Sequence, residues 1–192
     1  MNCFRRVLML ISILFLPAVY SVGQTTGDAS KTEPKPNSHI KSKYNKSKDE
    51  TTVTLKTLQL SGSMNREVTR ESEVGQLDLD LYFAHPGQQL TKPAEAVTLT
   101  FKGTQKNQLW QRGQNLIAVL NDQTALLLGT TSYKSNSQTF YFEELMAISV
   151  PYDAVRKIAD AKTLAFQLGS RNVRIKDDQL EDIRALVAKM SP

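Results

Sequence analysis

Leu77-Asp78-Leu79-Asp80-Leu81-Tyr82-Phe83 alternates large apolar side chains with polar ones, and this alternation decides the fold class. Successive side chains of an extended chain point to opposite faces, so Leu77, Leu79, Leu81 and Phe83 share one dry face and Asp78, Asp80 and Tyr82 a wet one. Val97, Leu99 and Phe101 repeat the pattern against Thr98 and Thr100. Leu116 to Leu120 and Ala125 to Leu128 are shorter apolar runs whose separator, Asn121-Asp122-Gln123-Thr124, reads as a hairpin turn. Phe140, Phe142, Met146, Ile148 and Val150 mark one long strand or two abutting ones. Val53 to Leu60 is an opening strand whose alternation slips near Lys56 and Thr57, as a β-bulge would make it slip. The polar stretch from Gly62 to Gly75 reads as a loop.

The chain then changes period. Pro151 suits the first turn of a short helix with Val155, Ile158 and Ala159 inward, Asp153 near its N-terminal end, and Arg156 and Lys157 outward. Thr163 to Leu168 and Val173 to Lys176 read as a hairpin about Gly169 to Asn172. Asp178 with Glu181 resembles a capping box, with Asp in place of Ser or Thr, ahead of a helix whose apolar face is Leu180, Ile183, Val187 and Met190. The expected fold is one mainly β domain over residues 51–192. It is an antiparallel sandwich or half-barrel with two short helices near the C-terminus, packed at one end or across one face. About 140 residues suffice for one domain that buries roughly two-thirds of its unfolded surface.

The N-terminus carries an address. Arg5 and Arg6 precede an apolar run from Val7 to Leu16, Pro17 breaks it, and Ser21 and Gly23 supply small side chains before Gln24. This is the layout of a signal peptide over residues 1–23. A ten-residue run spans roughly 15 Å as a helix, about half of a bilayer core, so no transmembrane segment is expected in the mature chain. Cys3 is the only cysteine and lies before the run, where lipid attachment does not occur. A mature chain from Gln24 then has no thiol, which excludes thiol catalysis, thiolate metal ligation and disulfides. Export to the periplasm or medium, with envelope association as a further expectation, follows from these features.

Residues 24–50 are rich in Thr, Ser, Lys, Pro and Asn, and read as a disordered polar linker. Lys41, Lys43, Lys46 and Lys48 either solubilise this spacer or lie on an anionic surface at about 1 kcal/mol per lysine. Asn45-Lys46-Ser47 also has the glycosylation acceptor pattern. Within residues 51–192 there are 16 basic and 15 acidic side chains. The chain's excess of positive charge therefore lies outside the domain, and no nucleic-acid partner is expected.

Ser149-Val150-Pro151-Tyr152-Asp153, Arg156-Lys157-Ile158-Ala159, Phe166-Gln167-Leu168-Gly169 and Asp177-Asp178-Gln179-Leu180 together resemble a domain of uncharacterised exported bacterial proteins, over about residues 140–190. The resemblance implies an envelope or secreted location and a fold module. It implies no activity, and each of these residues also has a structural reading as cap, turn or core.

The sequence offers little catalytic chemistry. His39 falls in the linker and His85 in a loop before Pro86-Gly87, so no His pair has metal-ligand spacing, and no metal or cofactor is expected. Hydrolase elbow and phosphate-cradling glycine patterns are absent. Glu143 and Glu144 are adjacent and, in a strand, would point oppositely; a strand break there is favoured over an inward general acid. Asp78 and Asp80 share a face and read as a solvated surface in preference to a calcium site. Trp110, Arg112 and Tyr133 are the candidate binding residues, an aromatic and guanidinium set in Gln108-Leu109-Trp110-Gln111-Arg112-Gly113, although Trp110 also has a core reading. The favoured function is a non-catalytic exported module binding a protein, glycan or envelope partner. The alternative is a small hydrolase acting on envelope or extracellular polymer through carboxylates. Oligomeric state is not specified.

Overall fold

The computed structural model describes residues 39–60 and 76–192. In chain order its elements are β1 (Ile40–Asn45), β2 (Glu50–Leu55), β3 (Leu58–Gln59), β4 (Gln76–Pro86), β5 (Ala96–Gln105), β6 (Asn115–Leu120), β7 (Thr124–Thr130), β8 (Ser132–Ser137), β9 (Phe142–Pro151), α1 (Tyr152–Ala159), β10 (Leu164–Leu168), β11 (Arg171–Ile175) and α2 (Asp177–Ala188). The strands form two antiparallel sheets. The larger runs β1-β2-β4-β5-β9-β8, with β3 also on β4, and the smaller runs β11-β10-β6-β7. The fold is therefore mainly β, with both helices near the C-terminus, as the alternation implied.

Register turns the sequence pattern into a core. Leu79 lies opposite Phe101 and Phe101 opposite Met146, so the three central strands contribute one apolar row. All three side chains are fully buried. The row meets the small sheet, where Phe101 stands edge-on to Phe166 with ring centroids 5.7 Å apart. Val155, Ile158 and Ala159 of α1 and Leu180, Ile183, Leu186 and Val187 of α2 join this same core. Arg184 fastens the helices together by donating from Nε to the Ala159 carbonyl at 2.8 Å, satisfying an end-of-helix acceptor.

Several expectations are refined. The slip near Lys56 and Thr57 is real: Thr54 faces Tyr82 and Leu58 faces Leu79, so four steps oppose three, as in a bulge. Asn121 and Asp122 make the β6–β7 turn with φ of 54° and 58°, a left-handed conformation that Asn and Asp tolerate. β9 is one strand, beginning after Phe140, whose side chain is 85% exposed. The cap of α2 falls two residues earlier than Asp178: Lys176 is the N-cap, and its N–H donates to Gln179 Oε1 at 3.1 Å. The polar edge strand β8 was not anticipated, because Ser-Tyr-Lys-Ser-Asn-Ser has almost no apolar signal.

The expected linker is corrected at its C-terminal end. Residues 40–45 form β1, paired with β2 from Ile40 opposite Leu55 to Asn45 opposite Glu50. The strand was invisible to composition because the partner supplies its register and only Ile40 and Tyr44 are partly buried. The turn is closed by Tyr44, whose hydroxyl donates to Asp49 Oδ1 at 2.8 Å, while Asp49 takes φ 47°. His39 lies immediately before this strand and meets Asp182 of α2 at 2.9 Å. His85 is likewise corrected, from a loop to the inward face of β4, where it is buried. The expected signal peptide, the linker over residues 24–38 and the loop from Gly62 to Gly75 lie outside the described residues.

Candidate functional site

Parity in β9 places Glu144 inward with Met146 and Val150, and Glu143 outward. No strand break occurs there. Glu144 is 0% exposed, and its carboxylate is held by hydrogen-bond donors on both oxygens. Gln105 Nε2 and the Leu109 N–H donate to Oε2 at 2.8 and 3.0 Å. The Trp110 N–H donates to Oε1 at 2.9 Å. The Tyr133 hydroxyl lies 2.9 Å from the same oxygen and 2.6 Å from the Trp110 carbonyl, and accepts from Gln108 Nε2 at 2.7 Å. Its single proton serves one of those two acceptors at a time.

Charge-assisted bonds of this kind are about twice as strong as neutral ones, and a buried carboxylate requires them. Their consequence is mechanical: an irregular connection, residues 106–114 between β5 and β6, is fixed on the end of the large sheet. Gly103 makes the seat. A Cβ there would stand 3.2 Å from Trp110 Cζ3 and 3.1 Å from Gln105 Nε2. Arg171 stacks over the indole with its Cζ 5.7 Å from the ring centroid. The far end of the connection is pinned too, since Gln114 N–H donates to Thr131 Oγ1 and Thr131 N–H to the Gln114 carbonyl, each at 2.9 Å.

The structure thus brings Trp110 and Tyr133 together on Glu144. Trp110 is 6% exposed, so of its two readings the structure takes the core one, and the side chain anchors the connection instead of facing a partner. Tyr133 is half-buried, and Arg112 is exposed between the anchors at Trp110 and Gln114. Gln105 and Gly103 are organising residues that sequence reasoning missed, and Glu144, read there as a strand break, is the third. The available signal was the parity of Phe142, Met146, Ile148 and Val150, which already directs residue 144 inward.

Elsewhere the acidic candidates have local partners. Asp80 pairs with Lys102 and accepts from Thr57 Oγ1 at 2.6 Å, while Asp78 Oδ2 accepts from Gln76 Nε2 at 2.7 Å. Among the described residues no group of three or more His, Cys, Asp or Glu is gathered as a metal site. No helix among them is long and apolar enough to cross a membrane.

The architecture is a two-sheet antiparallel sandwich with a C-terminal helix pair. Compared with family models, curated proteins and solved structures, the chain shows no match.

Proposed function

We propose that the chain is an exported, non-catalytic binding module, and that the connection over residues 106–114, with Arg112 as its projecting cation, is the surface offered to a protein, glycan or envelope partner. The observation that carries this reading is the fixation of an irregular, surface-reaching segment by a buried carboxylate. Holding a loop in one shape before contact removes ordering entropy from the binding step. Arg112 then supplies a planar donor set from a fixed base. Export rests on the sequence pattern of residues 1–23 and on the resemblance over residues 140–190. The hydrolase alternative needed Glu143 or Glu144 beside another acid in a concave pocket. Glu144 is instead surrounded by donors, and Glu143 is on the opposite face.

A photo-reactive residue replacing exposed Gln111 in the full chain, with Arg112 kept, expressed in its own host, should give an adduct of defined mass in the extracytosolic fraction. The same replacement at exposed Lys189 should not. Adducts equal at the two positions, or none at Gln111, would overturn the reading.

A further inference from the structure

We propose that the end of β4 and its connection to β5 form a binding site for a small uncharged hydroxyl compound with an apolar body, received by Nε2 of His85. Residues 84–86 and 90–96 line a cavity of about 400 Å³, within the range of small-molecule sites. His85 lines it and is only 7% exposed.

The hydrogen-bond geometry fixes what the ring can do. Nδ1 lies 3.0 Å from the Pro86 carbonyl oxygen. A carbonyl only accepts, so Nδ1 carries the hydrogen, and in the neutral ring the lone pair is on Nε2. No hydrogen bond to Nε2 is formed among the described residues. The ring is more than nine-tenths buried and borders the cavity, so the cavity is where a partner for that nitrogen can sit.

The walls select the ligand. Pro86, Leu90, Pro93, Ala94 and Ala96 give them a slightly larger apolar than polar share, and Thr91 adds a hydroxyl. Pro86 and Pro93 have no N–H to offer, and the N–H of Ala94 donates to the Met190 carbonyl at 2.8 Å. At the rim, Lys92 Nζ and Glu95 Oε1 are 3.9 Å apart and offset each other's charge. A ring acceptor in a cavity that Leu90, Pro93 and Ala94 also line, behind a balanced rim, suits a neutral molecule with an O–H to give and an apolar body.

Phenol is the probe and anisole, the same ring without the O–H proton, its control, each titrated into the full chain with ¹⁵N observation of the His85 ring. Phenol should move the Nε2 resonance and bind about tenfold more tightly than anisole, the scale of one hydrogen bond. Leu90→Trp, which fills the cavity from a partly exposed wall, should abolish phenol binding while preserving the rest of the amide spectrum. Equal affinity for phenol and anisole, an unmoved Nε2 resonance, or unchanged phenol binding in Leu90→Trp would each overturn the proposal. The phenol and anisole comparison on the unaltered protein decides the matter if that variant does not fold.

Discussion

The backbone N–H of Trp110 donates to Oε1 of Glu144 at 2.9 Å, so a carboxylate buried on the large sheet sets the path of a connection that leads to the small one. Removing the carboxylate strands the buried donors of Gln105 and Trp110, each at a cost of about 1–3 kcal/mol, and loosens those of Leu109 and Tyr133. Glu144→Ala should therefore destabilise the domain by roughly 3 kcal/mol or more, and Glu144→Gln by about 1–3 kcal/mol, because an amide keeps one acceptor and sets its NH₂ against facing donors. Glu143→Ala, on the exposed face, should stay within about 0.5 kcal/mol. Urea unfolding of the three variants checks the order.

Trp110→Ala should behave as a core truncation and cost about 3–5 kcal/mol, whereas Arg112→Ala should change stability by about 0.5 kcal/mol or less. Thermal melts of the two variants separate a structural role from an exposed one. Equal melting would contradict the burial of Trp110.

Gly103→Ala introduces a methyl group where Trp110 Cζ3 would be 3.2 Å away. The indole must shift, so the variant should lose about 1–3 kcal/mol and change the emission of the protein's single tryptophan. An unaltered spectrum and melting curve would show that the ring does not rest on this strand.

Ile183→Asp places a carboxylate in the core beneath α2 and should cost several kcal/mol, about 3 or more, or prevent folding. Lys189→Asp changes an exposed cap position and should cost about 1 kcal/mol at most, through an unfavourable charge at the helix C-terminus. Circular dichroism during heating distinguishes them.

The phenol of Tyr44 is raised above its ordinary value, chiefly by the hydrogen bond it donates to Asp49, with desolvation and the Asp49 charge adding to the effect. A raised folded-state value favours the neutral phenol in the fold. Its contribution is thus fully present below the unfolded value and is lost as pH rises through the folded one. Asp49→Asn should lower the Tyr44 titration toward the ordinary value, read as the tyrosinate absorbance missing from Tyr44→Phe.

Much of the scaffold was legible because its signals are local. The alternation of Leu77, Leu79, Leu81 and Phe83 specified a dry face, and the spacing of Leu180, Ile183, Val187 and Met190 specified a helix, since each pattern follows from the direction of successive side chains. Strand β1 was not legible, because Ile40 to Asn45 contains too little apolar surface to order itself and takes its register from β2. The grouping at Glu144 was hidden for a related reason. Leu109 and Trp110 are separated from it by 35 and 34 residues.

Sequence by itself determined the antiparallel character of the chain, the inward faces of both helices, the hairpin at Asn121-Asp122 and the candidates Trp110, Arg112 and Tyr133. Tertiary structure alone decided that Trp110 is buried while Arg112 is exposed, that Glu144 ties the β5–β6 connection down, and that His85 lies inward on β4. Periodicity reports which side of an element is dry. Only the packing of distant elements decides which polar groups enter that dry interior, because their burial depends on partners that the local sequence does not contain.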